Sequence, residues 1–158
     1  MIKTIVASVN VIPGIFKIEQ EAFLPPWTYE SLLNEVSRED SYFITAFNEY
    51  ETEELSSPHS PPSLLGYAVL RQVGDDGELL KIAVDKQARR KGVGALLMAD
   101  VLNYAADKAF KSVFLEVRKS NAAAVKLYEK YGFAVVRTRK DYYDKPVEDA
   151  LIMVKESR

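Results

Sequence analysis

The sequence contains no cysteine. That absence excludes disulfides, thiolate metal sites and a cysteine nucleophile. Histidine occurs once, at His59, among Ser and Pro. A histidine-based triad or metal cluster has nothing to build from, and no metal is expected. An excess of one charge is missing too. The 21 Lys and Arg against 23 Asp and Glu leave a formal charge of −2, which gives no sign of a general nucleic-acid binder. No apolar run is long enough to span a bilayer. The start, Met1-Ile2-Lys3-Thr4-Ile5-Val6, lacks the apolar core of a signal peptide. The expectation is a cytoplasmic protein with no membrane and no direct nucleic-acid partner.

What is present is ordinary for one globular domain. The 158 residues are 47% hydrophobic and 28% charged, enough for a real core. No internal repeat or domain boundary is visible, so residues 1–158 are expected to form a single domain. Lys3 to Val9 reads as a strand. Val11 to Phe23 places Ile12, Ile15, Phe16 and Ile18 near helical spacing, and Pro25-Pro26 stops that helix. Thr28 can cap a second helix through Leu32, Leu33 and Val36. Ser41 to Phe47 is a strand. Asn48 to Ser63 reads as a long loop.

Leu64 to Val73 and Glu78 to Val84 read as strands joined by a turn at Gly74-Asp75-Asp76-Gly77. A helix after Gly92 is expected to bury Val93, Leu96, Leu97, Val101 and Leu102. Lys111 to Arg118 is a fifth strand. Ser120 is expected to cap the next helix, which ends at Tyr131-Gly132. Phe133 to Thr138 and Asp149 to Val154 close the series, with a polar loop from Lys140 to Glu148 between them. The order is β-α-α-β-β-β-α-β-α-β-β. It predicts an α/β (α+β) domain: a central mixed, mostly antiparallel twisted sheet of about seven strands flanked by about four helices.

The most informative segment is residues 81–94, where a strand runs through a basic turn into a helix. Gly92 and Gly94 remove side chains where backbone N–H groups must approach a ligand closely. The helix start adds N–H donors and partial positive charge, and Arg89, Arg90 and Lys91 add formal charge. Together these parts make a pyrophosphate cradle. A plain turn is the structural alternative. The third glycine of a dinucleotide fingerprint would fall at Leu97, and no Gly-Lys-Ser/Thr follows as a Walker loop requires.

Arg89-Arg90-Lys91-Gly92-Val93-Gly94 resembles the Arg/Gln-x-x-Gly-x-Gly/Ala signature of the GNAT acetyltransferases. A second segment runs Leu115-Glu116-Val117-Arg118, then Ser120-Asn121, Leu127-Tyr128 and Gly132-Phe133. It resembles the RimI branch of that family, whose members acetylate the N-terminal alanine of a small-subunit ribosomal protein. Further likeness lies in Ile18-Glu19-Gln20 with Trp27, in Arg139-Lys140-Asp141-Tyr142-Tyr143, and in Glu148-Asp149-Ala150.

The resemblance implies acetyl-coenzyme A as cosubstrate, with its pyrophosphate on the backbone from Arg89 to Ala95. It implies that the Ile82-Ala83-Val84 backbone holds the acetyl carbonyl, and that Asn121 meets the pantetheine arm. Glu116 matches the general base and Tyr128 the general acid. Trp27, Tyr142 and Tyr143 border the acceptor channel.

Each has a structural alternative. Glu116 can be a solvated strand residue beside Arg118, and Tyr128 a core aromatic. Asn121 can satisfy its own helix start, and Ile82 to Val84 can be only a buried strand. Trp27, Tyr142 and Tyr143 can simply pack. Glu19 can face the incoming amine, but is read as solvating its helix.

The implied acceptor is a protein N-terminus. An α-amine, with pKa about 7.7–8.0, is roughly a quarter neutral at pH 7.4, against about one lysine in a thousand. A single carboxylate then suffices as base. No activated nucleophile is evident, so transfer is expected to be direct, in a ternary complex. The acceptor could instead be a lysine side chain, a free amino acid or a polyamine. A non-catalytic acetyl-coenzyme A-binding module is the alternative from another class. Two departures bear on the acceptor: a long 48–63 loop, and a short one before Glu148 stiffened by Pro146. The chain is expected to be a monomer or weak dimer.

Overall fold

The structure is a computed structural model that describes residues 1–48 and 64–157. His59 and the expected long loop beyond Asn48 lie outside these residues. Among the described residues there are seven strands: β1 (Ile2–Val6), β2 (Ser41–Asn48), β3 (Leu64–Val73), β4 (Asp76–Val84), β5 (Ser112–Arg118), β6 (Ala134–Asp144) and β7 (Val147–Glu156). Among the described residues the α-helices are α1 (Ile12–Ala22), α2 (Tyr29–Val36), α3 (Val93–Asp107) and α4 (Ala122–Lys130). The strands form one sheet in the order β1-β2-β3-β4-β5-β7-β6. β1–β2, β5–β7 and β6–β7 are antiparallel, whereas β4 and β5 run parallel, pairing Gly77 with Val113 and Glu78 with Phe114. This is the expected order and mixed sheet.

By compactness the chain divides into two units. The first comprises Met1–Val69 and Lys81–Val101, the second Leu70–Leu80 and Leu102–Arg158. In the first, α1 buries Ile12, Ile15 and Ile18, as their spacing predicts. Phe16 is half-buried and meets Tyr29 edge-on. The Thr28 hydroxyl accepts the Ser31 N–H at 3.0 Å and so caps α2. α2 then turns Leu32 and Glu35 inward and leaves Val36 half-buried. The first part of α3 packs through Val93, Leu97, Met98 and Val101. Leu96 is only half-buried, because Met98 rather than Leu96 completes the inward stripe.

In the second unit β5 alternates cleanly. Val113, Leu115 and Val117 are buried, while Phe114, Glu116 and Arg118 share the other face. Ala105 is buried where Leu102 was expected to be; Leu102 is half-buried. The β3–β4 turn is two residues, Gly74-Asp75, not four. Gly77 belongs to β4, where a Cβ would stand 2.9 Å from the Phe110 ring. At the end of α3, Ala109 N–H donates to the Ala106 carbonyl and Phe110 N–H to the Ala105 carbonyl. This Schellman closure puts Ala109 in the left-handed region at φ 57°.

Two local expectations are corrected. Ser120 does not cap α4. The cap is Asn121, whose Oδ1 accepts the Ala124 N–H at 3.3 Å, while the Ser120 N–H donates to the Glu148 carboxylate. The polar loop expected over Lys140 to Glu148 is mostly strand, and the chain reverses at Lys145-Pro146. Polarity there marks an exposed edge strand, since β6 is exposed almost throughout.

Candidate active site

In the first unit, β4 delivers Ile82, Ala83 and Val84 to the basic turn. Ala83 is buried, with Ile82 and Val84 half-buried. Gly66 on β3 makes room for that backbone: a Cβ there would lie 2.6 Å from the Ala83 carbonyl oxygen. The Asp85 N–H donates to the Leu65 carbonyl, and its carboxylate accepts the Gln87 N–H, which turns the chain outward. Arg89, Arg90, Lys91 and Gly92 are all exposed. Arg90 at φ 62° and Gly92 at φ 81° are left-handed. Such residues curl backbone N–H groups into a concave, anion-seeking array. The Gly92 carbonyl accepts the Leu96 N–H at 3.0 Å, so α3 starts here and Val93, Gly94 and Ala95 form its first turn. The loop has the charge, curvature and open space a pyrophosphate requires.

The first unit also holds a polar cluster that the sequence did not reveal. Glu19 is fully buried on the inward face of α1. Its carboxylate accepts the Trp27 N–H at 2.9 Å, the Tyr67 hydroxyl, and an ion pair from Lys81 at 2.9 Å. The reading of Glu19 as a solvated helix residue is overturned. Burial and the neighbouring carboxylate push the Tyr67 phenol up, and burial pulls the Lys81 ammonium down. A signal existed: Glu19 lies seven residues after Ile12 and four after Ile15, on the same stripe.

In the second unit, Glu116 is not merely solvated. Its carboxylate meets Arg139 at 3.7 Å and accepts a hydrogen bond from the Tyr142 hydroxyl. That bond and the carboxylate charge push the Tyr142 phenol up. Glu78 stands nearby. Its own carboxyl is pushed up, first by burial, then by the Glu116 charge, against the pull of Arg71. Arg118, on the Glu116 face, lies over the Tyr143 ring at 4.2 Å and pairs with Glu148 at 3.4 Å.

Tyr142 and Tyr143 both approach this face although they are consecutive, because β6 is irregular. From Arg139 to Tyr143 it advances four residues while β7 advances two, from Ala150 to Glu148. Asp141 takes up the excess at φ 51°.

Tyr128 is buried on α4, and burial pushes its phenol up to about 12, with Tyr143 adding to the rise. Its place is fixed by the end of α4. The Phe133 N–H donates to the Tyr128 carbonyl and the Gly132 N–H to the Glu129 carbonyl, with Gly132 at φ 93°. The two rings pack 5.9 Å apart, the apolar contact that accompanies such a closure. Asn121 is exposed and spends its side-chain carbonyl on the helix cap, so the cap leaves its amide N–H₂ donors unused. Glu116, Tyr142, Tyr143 and Tyr128 therefore belong to one unit, together with Arg139 and Glu78, which sequence reasoning did not assign.

Among the described residues, no group of three or more His, Cys, Asp or Glu could hold a metal ion. No described helix is long and apolar enough to cross a membrane.

Known proteins share this fold. The chain is 31% identical over 150 residues to the [ribosomal protein bS18]-alanine N-acetyltransferase of Salmonella typhimurium, covering 94% of this chain and 93% of the relative. It superposes on the crystal structure of the Escherichia coli ribosomal-protein-S18-alanine N-acetyltransferase with TM-score 0.83 and 28% identity, over 99% of this chain and 94% of the other. Ard1 from Thermoplasma volcanium superposes with TM-score 0.85 and 25% identity, over 99% and 98% of the two chains. The profile of the Acetyltransferase (GNAT) family matches residues 12–133, from α1 through the end of α4. The chain belongs to the GNAT acetyltransferase family.

Proposed function

We propose that this protein transfers acetyl from acetyl-coenzyme A to the N-terminal α-amine of a protein, with the N-terminal alanine of a small-subunit ribosomal protein as its acceptor. The observation that carries the reading is near full-length similarity to bS18-alanine N-acetyltransferases. In this reading residues 1–158 act as one catalytic domain in the cytoplasm, as a monomer or weak dimer, without a metal.

The pyrophosphate rests on the Arg89-to-Ala95 backbone. Backbone N–H groups of the Ile82-Ala83-Val84 segment hold the thioester carbonyl and the oxyanion that develops on it. Asn121 offers its amide to the pantetheine arm. Trp27, Tyr142 and Tyr143 are each assigned an acceptor contact.

Glu116 takes a proton from the acceptor ammonium. Its contact with Arg139 is loose at 3.7 Å, and the Arg139 side chain is 44% exposed. Such a pair is worth at most about 1 kcal/mol, so an incoming ammonium displaces it at little cost. The freed amine attacks the thioester carbon, the C–N bond forms, the nitrogen releases its second proton to solvent, and the C–S bond breaks.

Tyr128 faces the departing sulfur as a hydrogen-bond donor. Burial pushes its phenol up to about 12, so Tyr128 stays protonated at neutral pH and gives its proton to the departing thiolate as general acid.

A peptide with a free N-terminal Ala and an internal Lys tests the acceptor. Mass mapping is expected to find acetyl only on the α-amine, and blocking that amine is expected to abolish turnover. Acetyl on the lysine at a comparable rate would replace this reading with lysine acetylation. Cofactor binding without transfer to any amine would make the chain a binding module.

A further inference from the structure

We propose that Lys81 is a positioning residue that fixes the Phe23–Trp27 loop, and through it the acceptor, to β4. The functional half of this inference rests on the reading of Trp27 as an acceptor contact.

Lys81 shares strand parity with Leu79 and Ala83, both buried, so its side chain enters the protein rather than solvent. The side chain is only 10% exposed, and a buried ammonium needs compensation. Three groups supply it. Glu19 pairs with it at 2.9 Å, the Phe23 ring centroid lies 3.7 Å away, and the Trp27 ring lies at 5.0 Å. A carboxylate with two aromatic faces is the composition of a cation-binding box. Here the chain fills the box with its own ammonium, so Glu19 is not left to receive the acceptor amine.

The loop is held twice over. Phe23 and Trp27 present their rings to Lys81, and the Trp27 N–H donates to the same Glu19 oxygen that pairs with Lys81. The second Glu19 oxygen is taken by the Tyr67 hydroxyl from β3. One charge pair thus ties the end of α1, the loop, β3 and β4 together. A buried pair of this kind adds little net stability over an apolar replacement, and its use is to specify geometry. Lys81 immediately precedes Ile82, so the element set by the lock continues into the strand assigned to the acetyl group.

The test compares Lys81→Arg with the double variant Glu19→Gln/Lys81→Met, which removes both charges and leaves neither buried alone. Trp27 is the only tryptophan, so intrinsic fluorescence reports on the loop itself. The double variant is expected to show red-shifted Trp27 emission and a peptide KM raised about tenfold, with kcat changed less than threefold and the acetyl-coenzyme A KM within twofold. Lys81→Arg, which keeps the cation, is expected to hold all four values near wild type. A folded double variant with wild-type peptide KM overturns the positioning role. Equal rises in both KM values also overturn it, because the cluster would then support the strand in general. A wild-type protein inactive on N-terminal peptides refutes the functional reading instead, and the emission of the double variant still decides whether the lock exists.

Discussion

Gly92→Val tests the cradle most directly, because the structure separates its possible causes of failure. Gly92 is exposed, and a Cβ built on it meets no atom within 4 Å. A clash with the core is therefore excluded. What remains is conformational: at φ 81° an ordinary L-residue pays about 1–2 kcal/mol, and a β-branched one up to about 3 kcal/mol. If the loop keeps its shape, the melting temperature falls by a few degrees, at about 2–4 °C per kcal/mol for a chain this long. If the loop relaxes, stability recovers but the N–H array no longer converges, and the isopropyl group occupies the anion's approach. In both cases acetyl-coenzyme A affinity is expected to drop at least tenfold, about 1.4 kcal/mol. Gly92→Ala should fall between. Calorimetric titration beside a thermal melt measures both quantities. A folded Val variant with wild-type affinity would remove the 89–95 loop from cofactor binding.

Two further outcomes are expected. Glu116→Gln keeps the acceptor oxygen for Tyr142 but cannot take a proton; kcat at neutral pH should fall by roughly 10²–10⁴ with cofactor affinity nearly intact. The loss should shrink as pH rises and more acceptor is already neutral, so a wild-type rate across pH 6–9 would return Glu116 to a solvated strand position. Ala109→Gly should stabilise the fold by about 0.5–1 kcal/mol, the left-handed cost at Ala109 less the entropy glycine adds. Its melting temperature should rise by about 1–4 °C, and a fall would mean the Ala109 methyl makes a contact worth more than the strain.

Much of the fold is legible because periodicity reports burial. The Ile12-Ile15-Ile18 stripe lies as read, and the strand expected over Lys111 to Arg118 forms as β5 with Glu116 and Arg118 on one face. The basic glycine turn before α3 is legible because glycine, charge and a helix start coincide in a short segment. The β6–β7 hairpin escaped because its polar residues imitate a loop; an exposed edge strand carries the same composition. The Glu19–Lys81 pair escaped for a related reason. Reading each charge alone makes both residues surface, yet each sits at an inward position of its element. Only the pair neutralises the cost of burying either, and its partners are 62 residues apart. Arg139 and Glu78 come into the site through strand register, which no local pattern encodes.

The irregular β6 strand also bears on how the molecule meets its own copies. β6 ends one side of the sheet, where an open ladder of N–H and C=O groups invites a second chain to add on. Two register shifts interrupt that ladder, between Val135 and Arg137 and between Arg139 and Tyr143. Arg137, Arg139 and Lys140 stand exposed along it. A neighbouring strand would have to match the same irregular spacing and bring its own cations against these. The residues that aim two consecutive tyrosines at one face thereby make the edge a poor template for aggregation. Straightening the strand to simplify the site would set the already exposed Val135 and Val136 on a regular edge, and solubility would be the first property to suffer.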